Sequence, residues 1–79
     1  GPDEYIGLND DPMTREEAVA IGQLERLARH WPKTLKLLSM GGSLHVIHAA
    51  DERYASEGPN RGDAVLATIH GIPNDGGDW

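Results

Sequence analysis

Residues 34–49 read Thr-Leu-Lys-Leu-Leu-Ser-Met-Gly-Gly-Ser-Leu-His-Val-Ile-His-Ala, two apolar-rich runs joined by Gly41-Gly42. A two-residue glycine loop between such runs marks a β-hairpin with a primed turn, because both central residues must take positive φ. The turn sets a register with Leu35 opposite His48, Leu37 opposite Val46, and Ser39 opposite Leu44. Side chains alternate along a strand. One face therefore carries Leu35, Leu37, Ser39, Leu44, Val46 and His48, and the other carries Lys36, Leu38, Met40, Ser43, His45 and Ile47. The first face is the more evenly apolar and is expected to be the core, turned toward a helix. Leu38, Met40 and Ile47 are then a surplus on the outer face.

The helix is well marked upstream. Thr14 and Glu17 form a capping box, and Met13 is placed to staple onto Ala18. Glu16 and Glu17 fall in the first turn and Arg26, Arg29 and His30 near the end, as the helix dipole favours. Ala20, Ile21, Leu24, Leu27, Ala28 and Trp31 recur at helical spacing and form one stripe. Gly22 costs the helix about 1 kcal/mol relative to alanine, which points to a close approach of the helix to the sheet. Pro32 stops the helix at or before Trp31.

Downstream, residues 50–62 read as a long loop with a helical turn near 51–56. Ala64 to Ile72 alternate as a third strand, with Val65, Ala67 and Ile69 on one side and Leu66, Thr68, His70 and Ile72 on the other. Pro73 ends that strand, and residues 74–79 form a Gly/Asp tail closed by Trp79. The expected fold is α+β, one amphipathic helix packed on a three-stranded antiparallel meander. Residues 1–12 are expected to be an acidic, extended arm whose Gly1-Pro2 reads as the scar of tag removal. Residues 13–79 then make one small domain.

Composition narrows the function classes. A chain of 79 residues buries only about 60% of its unfolded surface, so association or very good packing must supplement its core. With no cysteine it has neither a disulfide framework nor a thiolate nucleophile or metal ligand. No apolar run is long enough to span a membrane and no segment has a signal-peptide layout. The net charge of −6 is uneven: residues 1–12 carry −4, residues 13–36 carry +2 and residues 37–79 carry −4. Phosphate backbones repel such a chain except where its cations gather.

Chemistry-bearing residues are sparse. His45 and His48 lie three apart on a strand and so point to opposite faces. His48, His70 and Asp51 could form a two-histidine, one-carboxylate metal set, the basis of a small metal-dependent enzyme. Ser43, His45 and Asp51 spell a nucleophilic grouping without the sequence context of a nucleophile elbow. The glycines match no dinucleotide or phosphate loop, and no cofactor or resident metal is expected. Arg61-Gly62-Asp63 repeats a cell-adhesion tripeptide, read here as coincidence. Arg26, Arg29, Lys33 and Lys36 cluster within eleven residues, with Trp31 available to stack a base, and offer a nucleic-acid interface.

Three segments carry a likeness. Trp31-Pro32-Lys33-Thr34-Leu35, Gly42-Ser43-Leu44-His45-Val46-Ile47 and Ile72-Pro73-Asn74-Asp75-Gly76-Gly77-Asp78-Trp79 resemble a type of small bacteriophage and prophage protein. The likeness spans roughly residues 17–79. It implies an accessory phage gene product in a bacterial cytoplasm, and it assigns no catalytic residue. The expected function is a non-enzymatic protein-interaction module that binds itself, as a homodimer, or a host protein through its sheet face or edge. Lys36, Leu38, Met40, His45, Ile47 and Leu66 would carry that contact. The alternative is nucleic-acid binding through Arg26, Arg29, Lys33 and Lys36.

Overall fold

A computed structural model describes residues 5–54 and 61–77 of the chain. Its architecture is α+β: one helix, a three-stranded antiparallel sheet and a small two-stranded ribbon. The chain divides between Trp31 and Pro32 into two compact units, each described separately.

The first unit begins with a ribbon where an extended arm was expected. Strands β1 (Tyr5–Ile6) and β2 (Pro12–Met13) pair antiparallel, Tyr5 with Met13 and Ile6 with Pro12. The loop between them is built from short-range bonds. Gly7 N donates to Asp11 O (2.8 Å), Asp10 N to Gly7 O (3.0 Å) and the Asn9 side chain to Asp11 Oδ2 (3.0 Å). Asp10 takes φ 69°, which Asn and Asp tolerate better than other non-glycine residues. Residues 1–4 of the expected arm lie outside the described residues.

Helix α1 (Arg15–Arg29) starts where the capping box placed it. Glu17 N donates to Thr14 Oγ1 (3.1 Å) and Thr14 N to Glu17 Oε1 (2.8 Å), so two end donors are satisfied reciprocally. No residue of α1 is buried. Gly22 has no atom within 4 Å of the position a Cβ would occupy.

In the second unit the hairpin has the expected register. Strands β3 (Leu35–Met40) and β4 (Ser43–His48) pair with Leu37 opposite Val46 and Ser39 opposite Leu44. Gly41 and Gly42 stand at φ 61° and 83°, as a primed turn demands. Strand β5 (Ala67–Ile69) completes the order β3-β4-β5. It is shorter than the expected strand for two reasons. Residues Arg61–Ala64 wind into a 3-10 turn. Leu66 N also donates to Val46 O (2.7 Å) beside the Ala67–Val46 pair, so two residues oppose one in a bulge.

The inside-outside assignment is the reverse of the expected one. Leu38, Met40 and Ile47 are buried, Ile47 at 2% exposure, and Ala64 closes over them with Tyr54 and Val65 packed alongside. Leu37, assigned to the interior, is 42% exposed, and Leu35, Leu44 and Val46 are only half-buried. The physical reason is the β4–β5 connection. A hairpin register decides which residues share a face, but the side on which the following chain crosses decides which face stays dry. Here Tyr54, Ala64 and Val65 pack against the Leu38–Ile47 face. Replacing Ile47→Ala should therefore cost about 2–5 kcal/mol, whereas Leu37→Ser should cost under about 1 kcal/mol. Urea denaturation midpoints of the two variants measure the difference.

Candidate functional site

Of the six residues expected to meet a partner, four are interior. Leu38, Met40, His45 and Ile47 are all buried, so they hold the unit together and do not present a surface. His45 is the polar member of this interior and both ring nitrogens are engaged. Nε2 lies 3.1 Å from Met40 O and Nδ1 3.0 Å from Thr68 Oγ1. Because a carbonyl only accepts, Nε2 carries the hydrogen that is donated to Met40 O. Buried polar atoms without partners are costly, so this pair of bonds lets a histidine sit among leucines. Lys36 and Leu66 remain exposed.

The opposite face of the sheet carries the exposed apolar side chains. Register places Leu35, Leu37, Leu44, Val46, Ala67 and Ile69 on one side. Leu37 and Ile69 are exposed at 42% and 41%, and Leu66 at the bulge is also exposed. The sequence missed this surface because it named these residues as core.

The tail fastens to the hairpin tip. Ser39 Oγ donates to Asn74 Oδ1 (2.6 Å), and Asn74 Nδ2 donates to Gly42 O (3.0 Å) and Ile72 O (2.8 Å). Gly41 N donates to Gly77 O (2.7 Å), and Gly77 bridges Met40 in parallel. Gly76 lies so close to Ser39 that a Cβ there would overlap the Ser39 carbonyl. This arrangement protects one end of the β3 edge from further strand pairing. Trp79, which closes the expected tail, lies outside the described residues.

The metal and nucleophile groupings are not assembled. His70 Nδ1 lies 3.0 Å from Ser43 Oγ at the tip of the hairpin, whereas His48 ends the same strand about 17 Å away, at roughly 3.3 Å per residue. Asp51 is held by Arg53, whose Nη2 donates to Oδ2 at 2.6 Å and Nε to Oδ1 at 3.1 Å. No group of three or more metal-ligating side chains occurs among the described residues. Ser43 meets His70 rather than His45, with an open cleft of about 270 Å³ lined by Gly42, Gly71, Ile72 and Pro73 beside it. Sequence spacing did not bring Ser43 and His70 together, because β4–β5 pairing does.

The remaining candidates are quickly placed. Arg26 and Arg29 lie one turn apart near the end of α1, and Lys33 and Lys36 belong to the second unit. None of the four pairs with a carboxylate among the described residues. Arg61 does not project from its tripeptide; its guanidinium stacks 5.0 Å from the Tyr54 ring centroid, and its buried Nε has no hydrogen-bond partner. The stacking is a cation–π contact that offsets part of this loss. No helix among the described residues is long and apolar enough to cross a membrane.

Comparison with family models, with curated proteins and with solved structures finds no match to the chain.

The Arg53 clasp has a measurable consequence. Its hydrogen bonds to Asp51 hold that carboxyl below the usual range, at about 2, against about 3.9 for a free aspartate. A depressed value means the clasp contributes to stability above about pH 4 and is lost as pH falls toward 2. Carboxyl-carbon NMR titration should read Asp51 near 2 in the native protein and higher in Arg53→Ala, with part of the lowering retained because the backbone N–H of residue 53 still donates to Oδ1.

Proposed function

We propose that the chain is a non-enzymatic protein-interaction module that binds a second copy of itself or a host protein through the open face of its sheet. The observation that carries this reading is the exposure of Leu37 and Ile69 on the side opposite the buried Leu38–Ile47 cluster. Exposed contiguous apolar surface commonly marks a contact site. The unit's own cover, Tyr54, Ala64 and Val65, is spent on the other side. A phage accessory role rests on the resemblance of residues 31–35, 42–47 and 72–79 alone. The earlier contact set is revised accordingly, with Lys36 and Leu66 left at the rim.

A second reading, nucleic-acid binding, draws on Arg26, Arg29, Lys33 and Lys36, which have no carboxylate partner among the described residues. The net charge of −6 opposes it. Titration of duplex and single-stranded DNA against salt separates the readings, since phosphate contacts give a steep salt slope.

The direct test compares the native chain with a Leu37→Ser, Ile69→Ser double variant. Sedimentation velocity should show concentration-dependent association of the native chain and its loss in the variant, with circular dichroism unchanged. Where the native chain sediments as a monomer, a photo-cross-linker at Leu37 should capture one bacterial protein that the Ile69→Ser form of the same protein does not. Absence of both self-association and such a product would overturn the reading.

A further inference from the structure

The tail from Gly71 to Gly77 is held to the hairpin by hydrogen bonds rather than by burial. Asn74 bonds Ser39, Gly42 and Ile72, and Gly41 N donates to Gly77 O at 2.7 Å. Its apolar members, Ile72 and Pro73, are exposed, and none of its seven residues is buried. A segment fastened in this way opens at lower cost than the strands beneath it.

What the tail covers is the outer edge of β3. The two-residue turn makes Met40 and Ser43 a bonded pair, so Leu38 and Lys36 also bond to β4. The N–H and C=O groups of Leu37 and Ser39 then point away from the sheet. The partner strand agrees, because Val46, opposite Leu37, turns its carbonyl away from β3 to accept from Leu66 N. At one end of this edge Leu35 N is bonded to Pro32 O (3.2 Å). At the other, Gly76 lies against the Ser39 carbonyl and Gly77 bridges Met40. Between them, among the described residues, only Leu37 keeps both backbone groups open. One residue is too short an edge for strand addition.

We propose that the tail is a removable cap on this edge, and that with the tail lifted the β3 edges of two copies pair antiparallel about Leu37. The edge suits a second copy. Pairing centred on Leu37 is two-fold, so the same groups serve on both sides. It sets Leu37 beside Leu37 and Lys36 beside Leu38 of the other copy, so no like charges meet. The Met40–Gly77 bridge shows this edge already accepting an extended chain. The pairing uses backbone groups of the edge and not the open apolar face, so it holds or fails apart from the function proposed above.

Gly76→Val and Asn74→Ala test the cap. The first puts a side chain where the Ser39 carbonyl lies, and the second removes three hydrogen bonds. Amide exchange at Gly41, read by NMR, should quicken roughly tenfold in each, with the circular dichroism spectrum unchanged. Sedimentation velocity should show each variant associating at roughly tenfold lower concentration than the native chain. Adding Leu37→Pro, which removes an outward N–H that an edge strand can spare, should cancel the gain. Adding Ile69→Ser, on the open face, should leave it. Gly41 staying protected in both variants, faster Gly41 exchange without stronger association in either, or a gain cancelled by Ile69→Ser and not by Leu37→Pro would each overturn the proposal.

Discussion

The turn at Gly41-Gly42 holds both residues at positive φ, and this locks Leu35–Met40 against Ser43–His48 in a single register. Slipping that register by one residue would move every side chain of a strand to the other face. The rest of the second unit is arranged around the fixed hairpin. The segment carrying Tyr54, Ala64 and Val65 covers one side, β5 extends the sheet at its far edge, and the tail ties Asn74 and Gly77 to the tip. Gly76 is required because only a residue without a Cβ can lie against Ser39.

What could be read from the sequence was local. The capping box at Thr14 and Glu17, the helix span and the cross-strand partners all depend on contacts within a few residues, and each matches the structure. The core face was not legible. Leu37 and Leu38 are chemically alike neighbours, and the choice between them depends on which face Tyr54, Ala64 and Val65, sixteen to twenty-eight residues later, pack against. Strands of two residues show no periodicity, so β1 and β2 left only the turn chemistry around Asn9 and Asp10 as a trace. The bulge at Leu66 likewise breaks an alternation that looked continuous from Ala64 to Ile72.

The same reversal relocates the site. A reading that treats Leu38, Met40 and Ile47 as a partner surface would remove the interior of the unit, whereas Leu37, Leu44, Val46 and Ile69 combine apolar character with access to solvent. His45 belongs with the interior, where its two hydrogen bonds tie β4 to Met40 and Thr68. The clefts and charged groups elsewhere divide by chemistry. The ribbon and α1 line an open apolar cleft with Glu25 as its charged residue, and Arg61 of the tripeptide stacks on Tyr54. Small chains often complete their burial through partners, and the exposed apolar side of the sheet has the composition for it.

Because the chain contains no cysteine, thiol reactivity reports directly on which side of the sheet is dry. Single variants Leu37→Cys, Val46→Cys, Leu38→Cys and Ile47→Cys, labelled under native conditions with a soluble disulfide reagent, measure it most plainly. Fast labelling at 37 and 46 with protection at 38 and 47 is the expected result. Protection at 37 and 46 with fast labelling at 38 and 47 would contradict it, and the proposed contact face would then be the interior.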